Sequence, residues 1–164
     1  MTQIAHGTPL HFIPVDPPPF ISRDATTGHM YAGFNDGTDE IVDWPVHVPD
    51  GWTTGTQTLN IRWRAASATT GNVIWSAQVE ALTADDATDT DTTSSFATAQ
   101  TVTDAAPGTA GYQTVAQITF TAAQADNMVA DDMLRVRISR DANNASDTMT
   151  GDAEILEVWW DDAG

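Results

Sequence analysis

The sequence contains no cysteine and no lysine, and all six of its basic residues are arginines. The absence of cysteine excludes disulfide frameworks, thiolate metal sites and cysteine nucleophiles. The absence of lysine excludes Schiff-base and Ser-Lys chemistry. Several common routes to covalent catalysis and metal binding are therefore closed to this chain.

Positive charge is scarce as well. The 164 residues carry 23 acidic and 6 basic side chains, which gives a formal charge of -17. Nucleic-acid affinity comes mainly from lysine and arginine contacts to phosphates, so we expect no nucleic-acid partner. Attachment to an anionic membrane is disfavoured for the same reason. Salt screens the self-repulsion of such a chain, so the composition suits a saline medium, and drift in a GC-rich genome explains it equally well.

Long apolar runs are also missing. No run approaches the roughly 20 residues that span a bilayer. The segment Met1–Leu10 has neither a basic start nor an apolar stretch. We therefore expect no membrane span and no signal peptide.

Recognisable catalytic motifs are absent. The sequence has no G-x-S-x-G elbow, no Walker loop and no Rossmann glycine pattern. Its 23 acidic side chains allow many carboxylate pairs, and surface charge is the ordinary role of such residues. We expect no enzyme activity, no catalytic residue and no cofactor. A glycosidase is kept as a third hypothesis, which requires two acids about 5 to 10 Å apart in a cleft.

Two acidic loops, 85–91 and 35–40, raise the question of calcium. An EF-hand requires glycine at its sixth position and glutamate at its twelfth. The first loop fails this pattern whether it is counted from Asp85 or from Asp89. No His-x-Glu-x-x-His arrangement supports zinc. We predict no metal site, and calcium binding by the loops stays open.

Short alternating segments dominate the chain from about Gly33 onward. Leu59, Ile61 and Trp63 alternate with polar residues, which is the period of a half-buried strand. Seven or eight such segments, separated by turn signals, predict an all-β, antiparallel, jelly-roll-like β-sandwich over residues 33–164. Thr121 and Gln124 form a capping-box pattern, which predicts one short helix ending near Met128.

The first 32 residues differ from the rest. The segment Pro14–Phe20 is rich in proline and favours an extended polyproline conformation. A disordered tail is usually less apolar than this segment. We therefore predict an extended N-terminal arm that docks on its own domain, a sister subunit or a larger assembly. Its candidate contact residues are Leu10, Phe12, Ile13, Phe20 and Ile21.

The strand phases also sort the large side chains. Adjacent strand residues point to opposite faces, so Trp160 is predicted in the core and Trp159 on the exposed face. An exposed tryptophan is a frequent interface anchor, and Trp159 joins the candidate contact residues. Four arginines lie on the non-core phase and are predicted to pair with carboxylates either across strands or across an interface: Arg62, Arg64, Arg135 and Arg137.

Several longer segments resemble a known family. They are Trp63–Trp75, Ser95–Gln100, Ile118–Asp126, Leu134–Asp141 and Asp147–Glu154. Together they make the chain similar, over roughly Ile41–Trp160, to small jelly-roll virion structural proteins encoded by tailed phages and prophages. The resemblance implies a β-sandwich on a virus particle, without a known catalytic site. The family favours an acidic or polar residue where Trp159 stands, which strengthens Trp159 as a contact candidate.

The leading prediction is a non-enzymatic virion protein, a capsid decoration (cement) protein that stabilises the head by bridging capsomers. Its expected partners are the major capsid protein and sister subunits in a homotrimer. Its expected location is the virion, after synthesis in the host cytoplasm. The alternative is a tail or fibre adhesin domain that binds a host glycan.

Overall fold

The computed structural model describes residues 2–52, 55–85 and 94–162. Within these ranges the chain forms eleven strands and one 3₁₀ turn, Pro9–His11. The described residues contain no helix that is long and apolar enough to cross a membrane. The strands are β1 (Thr2–Gly7), β2 (Ile13–Val15), β3 (Phe20–Arg23), β4 (Met30–Phe34), β5 (Ile41–His47), β6 (Gln57–Ala65), β7 (Asn72–Leu82), β8 (Gln100–Ala105), β9 (Gln113–Phe120), β10 (Met133–Arg140) and β11 (Ala153–Asp162).

The strands form two sheets, and every pairing is antiparallel. The six-stranded sheet has the order β3-β4-β11-β6-β9, and β1 also pairs with β11. The five-stranded sheet has the order β2-β5-β10-β7-β8. The predicted all-β antiparallel sandwich is therefore confirmed, and the seven strands from Ile41 onward correspond to the segments whose alternation predicted them.

The core lies between the two sheets and is built around aromatic rings. Trp63 and Trp75 are fully buried, with ring centroids 5.9 Å apart in an edge-on arrangement. Phe34 packs edge-on against Trp75 at 5.3 Å. Trp160 is buried as well. The core position that the strand phase predicted for Trp160 is confirmed.

A buried ion pair closes one end of the sandwich. Arg140, the last residue of β10, has no exposed surface, and the side chain of Asp147 is 1% exposed. The guanidinium Nη2 lies 2.7 Å from Asp147 Oδ1, and Nε lies 3.0 Å from Oδ2. The same guanidinium also donates to three backbone carbonyls, those of Phe34, Met149 and Gly151. Arg140 thus joins β10, the end of β4 and the loop before β11.

The predicted short helix is wrong. The capping contacts form as expected, since Gln124 Oε1 accepts from the Thr121 amide at 2.8 Å. The following residues nevertheless make consecutive turns rather than a helix. Asp126 and Asn127 have φ values of 57° and 53°. A left-handed backbone cannot continue a right-handed helix, so the capping pair begins a turn that the next residues divert.

The predicted arm is built into both sheets. β1 pairs with β11, β2 with β5, and β3 with β4. Of the three partners that the sequence left open, the structure therefore shows the arm on its own domain. The predicted boundary between residues 32 and 33 falls inside β4, and the arm contributes three strands that the sequence analysis did not predict. Alternating side chains on such short strands leave too few positions for a periodic signal.

Candidate ligand-binding groove

One edge of β11 changes its partner halfway along the strand. β6 pairs with one side of β11 throughout, whereas the other side pairs with β4 at Ala153–Ile155 and with β1 at Val158–Asp162. The break falls at residues 156 and 157, where the pairing with β6 also contains a β-bulge. Bulges frequently lie next to functional sites because they redirect side chains. This bulge leaves the side chains of Leu156 and Glu157 partly exposed on the solvent-facing surface of the six-stranded sheet.

Two adjoining cavities occupy that surface. The first has a volume of about 420 Å³ and lies at the break, between the turn after β1 and the turn before β4. The second has a volume of about 460 Å³ and lies beside β1. Arg62 and Glu157 line both cavities, so we treat them as one feature, the outer groove. The remaining lining residues are Thr8, Pro9, Leu10, Gly28, His29, Met30, Gln113 and Leu156 in the first cavity, and Gln3, His6 and Trp159 in the second.

Two side chains contact Glu157 in the outer groove. Glu157 Oε1 lies 2.7 Å from Arg62 Nη1, and Glu157 Oε2 lies 2.8 Å from His6 Nε2. The Arg62–Glu157 pair confirms the predicted cross-strand pairing of this arginine. Each side chain is between one quarter and one half exposed, so its remaining donors and acceptors can reach a ligand. Glu157 is the one carboxylate among the described lining residues, whereas a glycosidase needs two.

Trp159 forms one wall of the groove and is held in place. Its indole Nε1 donates to Asp161 Oδ2 at 3.1 Å, and Asn60 Nδ2 donates to the same oxygen at 2.9 Å. Gln117 Nε2 then donates to Asn60 Oδ1 at 2.8 Å. The guanidinium carbon of Arg62 lies 5.4 Å from the centre of the Trp159 ring, within cation–π range. These contacts fix the orientation of a partly exposed indole.

A second charged group lies on the same sheet face. Arg64 pairs with Glu154 across β6 and β11, and it also reaches Asp24 at 3.5 Å. Hydrogen bonds from the backbone and side chain of Thr27, then from the Thr26 backbone, lower the pKa of Asp24 from 3.8 to about 2, and the charge of Arg64 adds to this effect. The group orders the turn between β3 and β4, whose last residues line the first cavity.

The predicted contact residues separate into two classes. Leu10, Ile13 and Phe20 are 72%, 54% and 50% exposed, whereas Phe12 is 6% exposed and belongs to the core. Ile21 is partly buried against the same core, and Trp159 is partly exposed. Of the six, Leu10 and Trp159 line the outer groove. Phe20 lies on β3 and Ile13 on an edge strand of the other sheet, so the six do not form one surface.

Most residues of the outer groove were not predictable from the sequence. His6, Gln3 and His29 enter it from segments that were predicted as an arm, and Glu157 faces Arg62 because of the bulge. The sequence did indicate that Arg62 and Trp159 lie on the solvent-facing side of their strands.

Metal ligands do not cluster in the described ranges. These residues contain no group of three or more histidine, aspartate or glutamate side chains that could hold a metal ion. In the loop 35–40, Asp36, Asp39 and Glu40 accept hydrogen bonds from backbone amides instead. Most of the loop 85–91 lies outside the described residues.

Known proteins resemble this chain in structure but not in sequence. No family model matches the sequence, and no curated protein resembles it by sequence. A family 35 carbohydrate-binding module from Clostridium thermocellum matches with a TM-score of 0.53 and 12% identity, over 96% of this chain and 98% of the module. The CBM35 of Cellvibrio japonicus Abf62 matches with a TM-score of 0.53 and 18% identity, over 94% of this chain and 88% of that one.

A larger enzyme contains a similar domain. The Paenibacillus cycloisomaltooligosaccharide glucanotransferase, in complex with cycloisomaltoheptaose, matches 94% of this chain with a TM-score of 0.53 and 10% identity. This chain spans 18% of the length of that enzyme. At such low sequence identities the similarity establishes the fold of this chain and says nothing about which ligand it binds. The chain therefore has the jelly-roll β-sandwich fold that is also found in carbohydrate-binding modules.

Proposed function

We propose that this chain is a non-enzymatic carbohydrate-binding domain whose ligand lies in the outer groove. The observation that carries the proposal is the pair of adjoining cavities, about 420 and 460 Å³ in volume, with a fixed indole and a shared Arg62–Glu157 pair. Volumes of this size are typical of small-molecule sites. The carbohydrate-binding modules among the similar structures support this class of function.

The chemistry of the groove suits a sugar. A pyranose presents an apolar face of C–H groups and a rim of hydroxyls that both donate and accept hydrogen bonds. The Trp159 indole offers an apolar aromatic surface. Arg62 donates, Glu157 accepts, and the amides of Gln3 and Gln113 do both. The groove therefore matches both parts of the ligand.

The electrostatics favour a neutral glycan. Arg62 and Glu157 neutralise one another within the groove, while the whole chain carries a formal charge of -17. A strong negative field lowers the rate and affinity of binding for anionic ligands, most of all at low salt. We therefore expect neutral oligosaccharides to bind more tightly than uronic-acid or sulfated ones.

Titration calorimetry on oligosaccharides selected from a glycan array tests the proposal. We expect the wild-type chain to retain neutral glycans, and Trp159→Ala and Arg62→Ala to weaken binding by more than about tenfold, the equivalent of 1.4 kcal/mol. Tyr112→Ala is the matched control, because Tyr112 is 65% exposed and lies outside both cavities. The proposal fails if no neutral glycan binds, or if both groove variants bind as the wild type does.

A virion location is a second proposal. It rests on the sequence resemblance to phage structural proteins and on the exposed apolar side chains of Leu10, Ile13 and Phe20, which are available to a capsid or tail partner. On a tail the chain would serve as a glycan adhesin, and on a head as a cement protein. Particles that lack a cement protein should lose heat tolerance. Unchanged tolerance, with the chain located on the tail by electron cryomicroscopy, would eliminate the cement function.

A further inference from the structure

The strands at the sheet edges are protected unequally. Exposed edges invite pairing with another chain, and proteins usually block them with short strands, proline, charge, bulges or inward-pointing charged residues. Five strands of the described chain lie at an edge: β1, β2, β3, β8 and β9. Four of them carry at least one such device.

Each device on these four edges is visible in the structure. β1 contains a register shift between Gln3 and Ala5. β2 has three residues and contains Pro14, and β3 has four residues and ends at Arg23. β8 contains Asp104, whose carboxylate points inward and accepts a 2.8 Å hydrogen bond from the buried Trp63 indole. These edges are poor templates for a further strand.

β9 has none of these devices. It is eight residues long, Gln113–Phe120, and contains no charge and no proline. It pairs with β6 in an unbroken register, and no described residue pairs with its other side. The uncharged stretch extends well beyond the strand, because the charged residues nearest to it in sequence are Asp104 and Asp126.

We propose that β9 is a self-association edge at which two copies of this chain pair antiparallel, so that their six-stranded sheets become one continuous sheet. The distribution of charge favours a second copy at this edge over any other part of the surface. Two copies that each carry a formal charge of -17 repel one another wherever their carboxylates meet. At β9 they meet without placing one charged side chain against another.

The geometry of the strand supports a two-fold pairing. Antiparallel partners lie on the same face of a sheet, so the exposed residues of β9 would pair among themselves. These residues are Gln113, Val115, Gln117 and Thr119. Cross-strand pairs of threonine, amide and β-branched side chains stabilise sheets, and a strand paired with its own copy forms a closed, isologous interface. A single strand pair buries less than the roughly 1,600 Å² of a stable interface, so we expect a concentration-dependent dimer.

Sedimentation equilibrium of the full chain over a concentration series tests the pairing. We expect a monomer–dimer equilibrium. The fraction of dimer should be larger in 0.5 M NaCl, which is about three times the physiological salt concentration, because salt screens the repulsion between the two acidic chains. The double variant Val115→Glu and Thr119→Glu should raise the dissociation constant by at least about tenfold, since like charges would face each other across the pair. The control, Ala25→Glu and Thr26→Glu, adds the same charge to exposed positions of the turn between β3 and β4, at the opposite edge of the six-stranded sheet, and should leave the constant within about twofold.

Amide hydrogen exchange at low and high protein concentration gives a second measurement. Amides of β9 should become more protected as concentration rises, and the protection should disappear in the β9 variant while its tryptophan fluorescence remains native. The proposal is overturned if the wild type stays monomeric at about 1 mM, near the limit of weak association. It is equally overturned if both double variants act alike, or if the oligomer is a trimer that the β9 variant leaves intact. None of these outcomes depends on glycan binding.

Discussion

Burial, rather than distance, should decide how much each ion pair stabilises this sandwich. Two Arg–carboxylate pairs have the same closest separation of 2.7 Å: Arg140–Asp147 and Arg62–Glu157. The first pair is 0% and 1% exposed, and the second is 41% and 25% exposed. The same substitution, arginine to methionine, can be made in both pairs. The comparison therefore sets a buried pair with several hydrogen bonds against an exposed pair with one close contact.

The structure gives very different magnitudes for the two substitutions. Arg140→Met leaves the buried Asp147 carboxylate without its cation and three carbonyls without their donor, and breaking a buried pair in this way costs about 3 to 5 kcal/mol. For a chain of this size, a loss of that magnitude lowers Tm by about 6 to 20 °C. Arg62→Met breaks an exposed pair, whose contribution is about 0 to 1 kcal/mol.

Urea denaturation followed by tryptophan fluorescence measures both losses on the same scale, with heat denaturation as a check. The double variant Arg140→Met and Asp147→Leu should regain part of the loss, because it removes the stranded charge. It should not regain all of it, since Asp147 Oδ2 also accepts from the Ile74 amide at 3.0 Å. Equal losses for Arg140→Met and Arg62→Met, or a double variant less stable than the sum of its parts, would refute the reasoning.

Three further predictions concern pH, salt and glycine. Because the pKa of Asp24 is lowered to about 2 in the folded chain, its ionised form stabilises the fold above pH 3.8, and this contribution is lost as the pH falls toward 2. The free energy of unfolding should therefore fall less steeply with decreasing pH in Asp24→Asn than in the wild type. An unchanged slope would contradict this prediction. With a formal charge of -17, the urea midpoint should rise between 0.1 and 1 M NaCl, where the Debye length falls from about 10 to 3 Å, and a falling midpoint would show that ion pairs dominate. Gly71→Ala should destabilise the fold more than Gly51→Ala. Both glycines have a positive φ, +98° and +80°, but of the two only Gly71 would place the new Cβ against backbone, 2.6 Å from Met149 Cα. Thermal denaturation should show a loss of about 1 kcal/mol for Gly51→Ala and a larger loss for Gly71→Ala.

The sandwich was predictable wherever strands are long and half buried. Leu59, Ile61 and Trp63 alternate with polar residues, and this period reports a strand without any knowledge of its neighbours. The strands of the first 34 residues have three to six residues each, and they become strands because they complete existing sheet edges. The capping pair at Thr121 shows the opposite error, since a local rule was satisfied and the chain then turned away.

The groove was beyond the reach of sequence periodicity. His6 and Glu157 are 151 residues apart in the chain, and they meet because β11 exchanges one partner for another at a bulge. Arg140 is a different case, because its signal was present. It continues the buried phase of Leu134, Val136 and Ile138, and an arginine in that phase indicates a buried, fully paired charge.

The pairing of β1 with β11 places Thr2 opposite Asp162, so these two positions are neighbours in the six-stranded sheet. Joining residue 162 to residue 2 with a brief linker and opening the sandwich at a surface turn would yield a circular permutant with the same fold. In that permutant the most distant pairing in the chain becomes a hairpin between neighbours. Contacts between neighbours close faster than distant ones, so the permutant should refold sooner than the parent while keeping its final architecture.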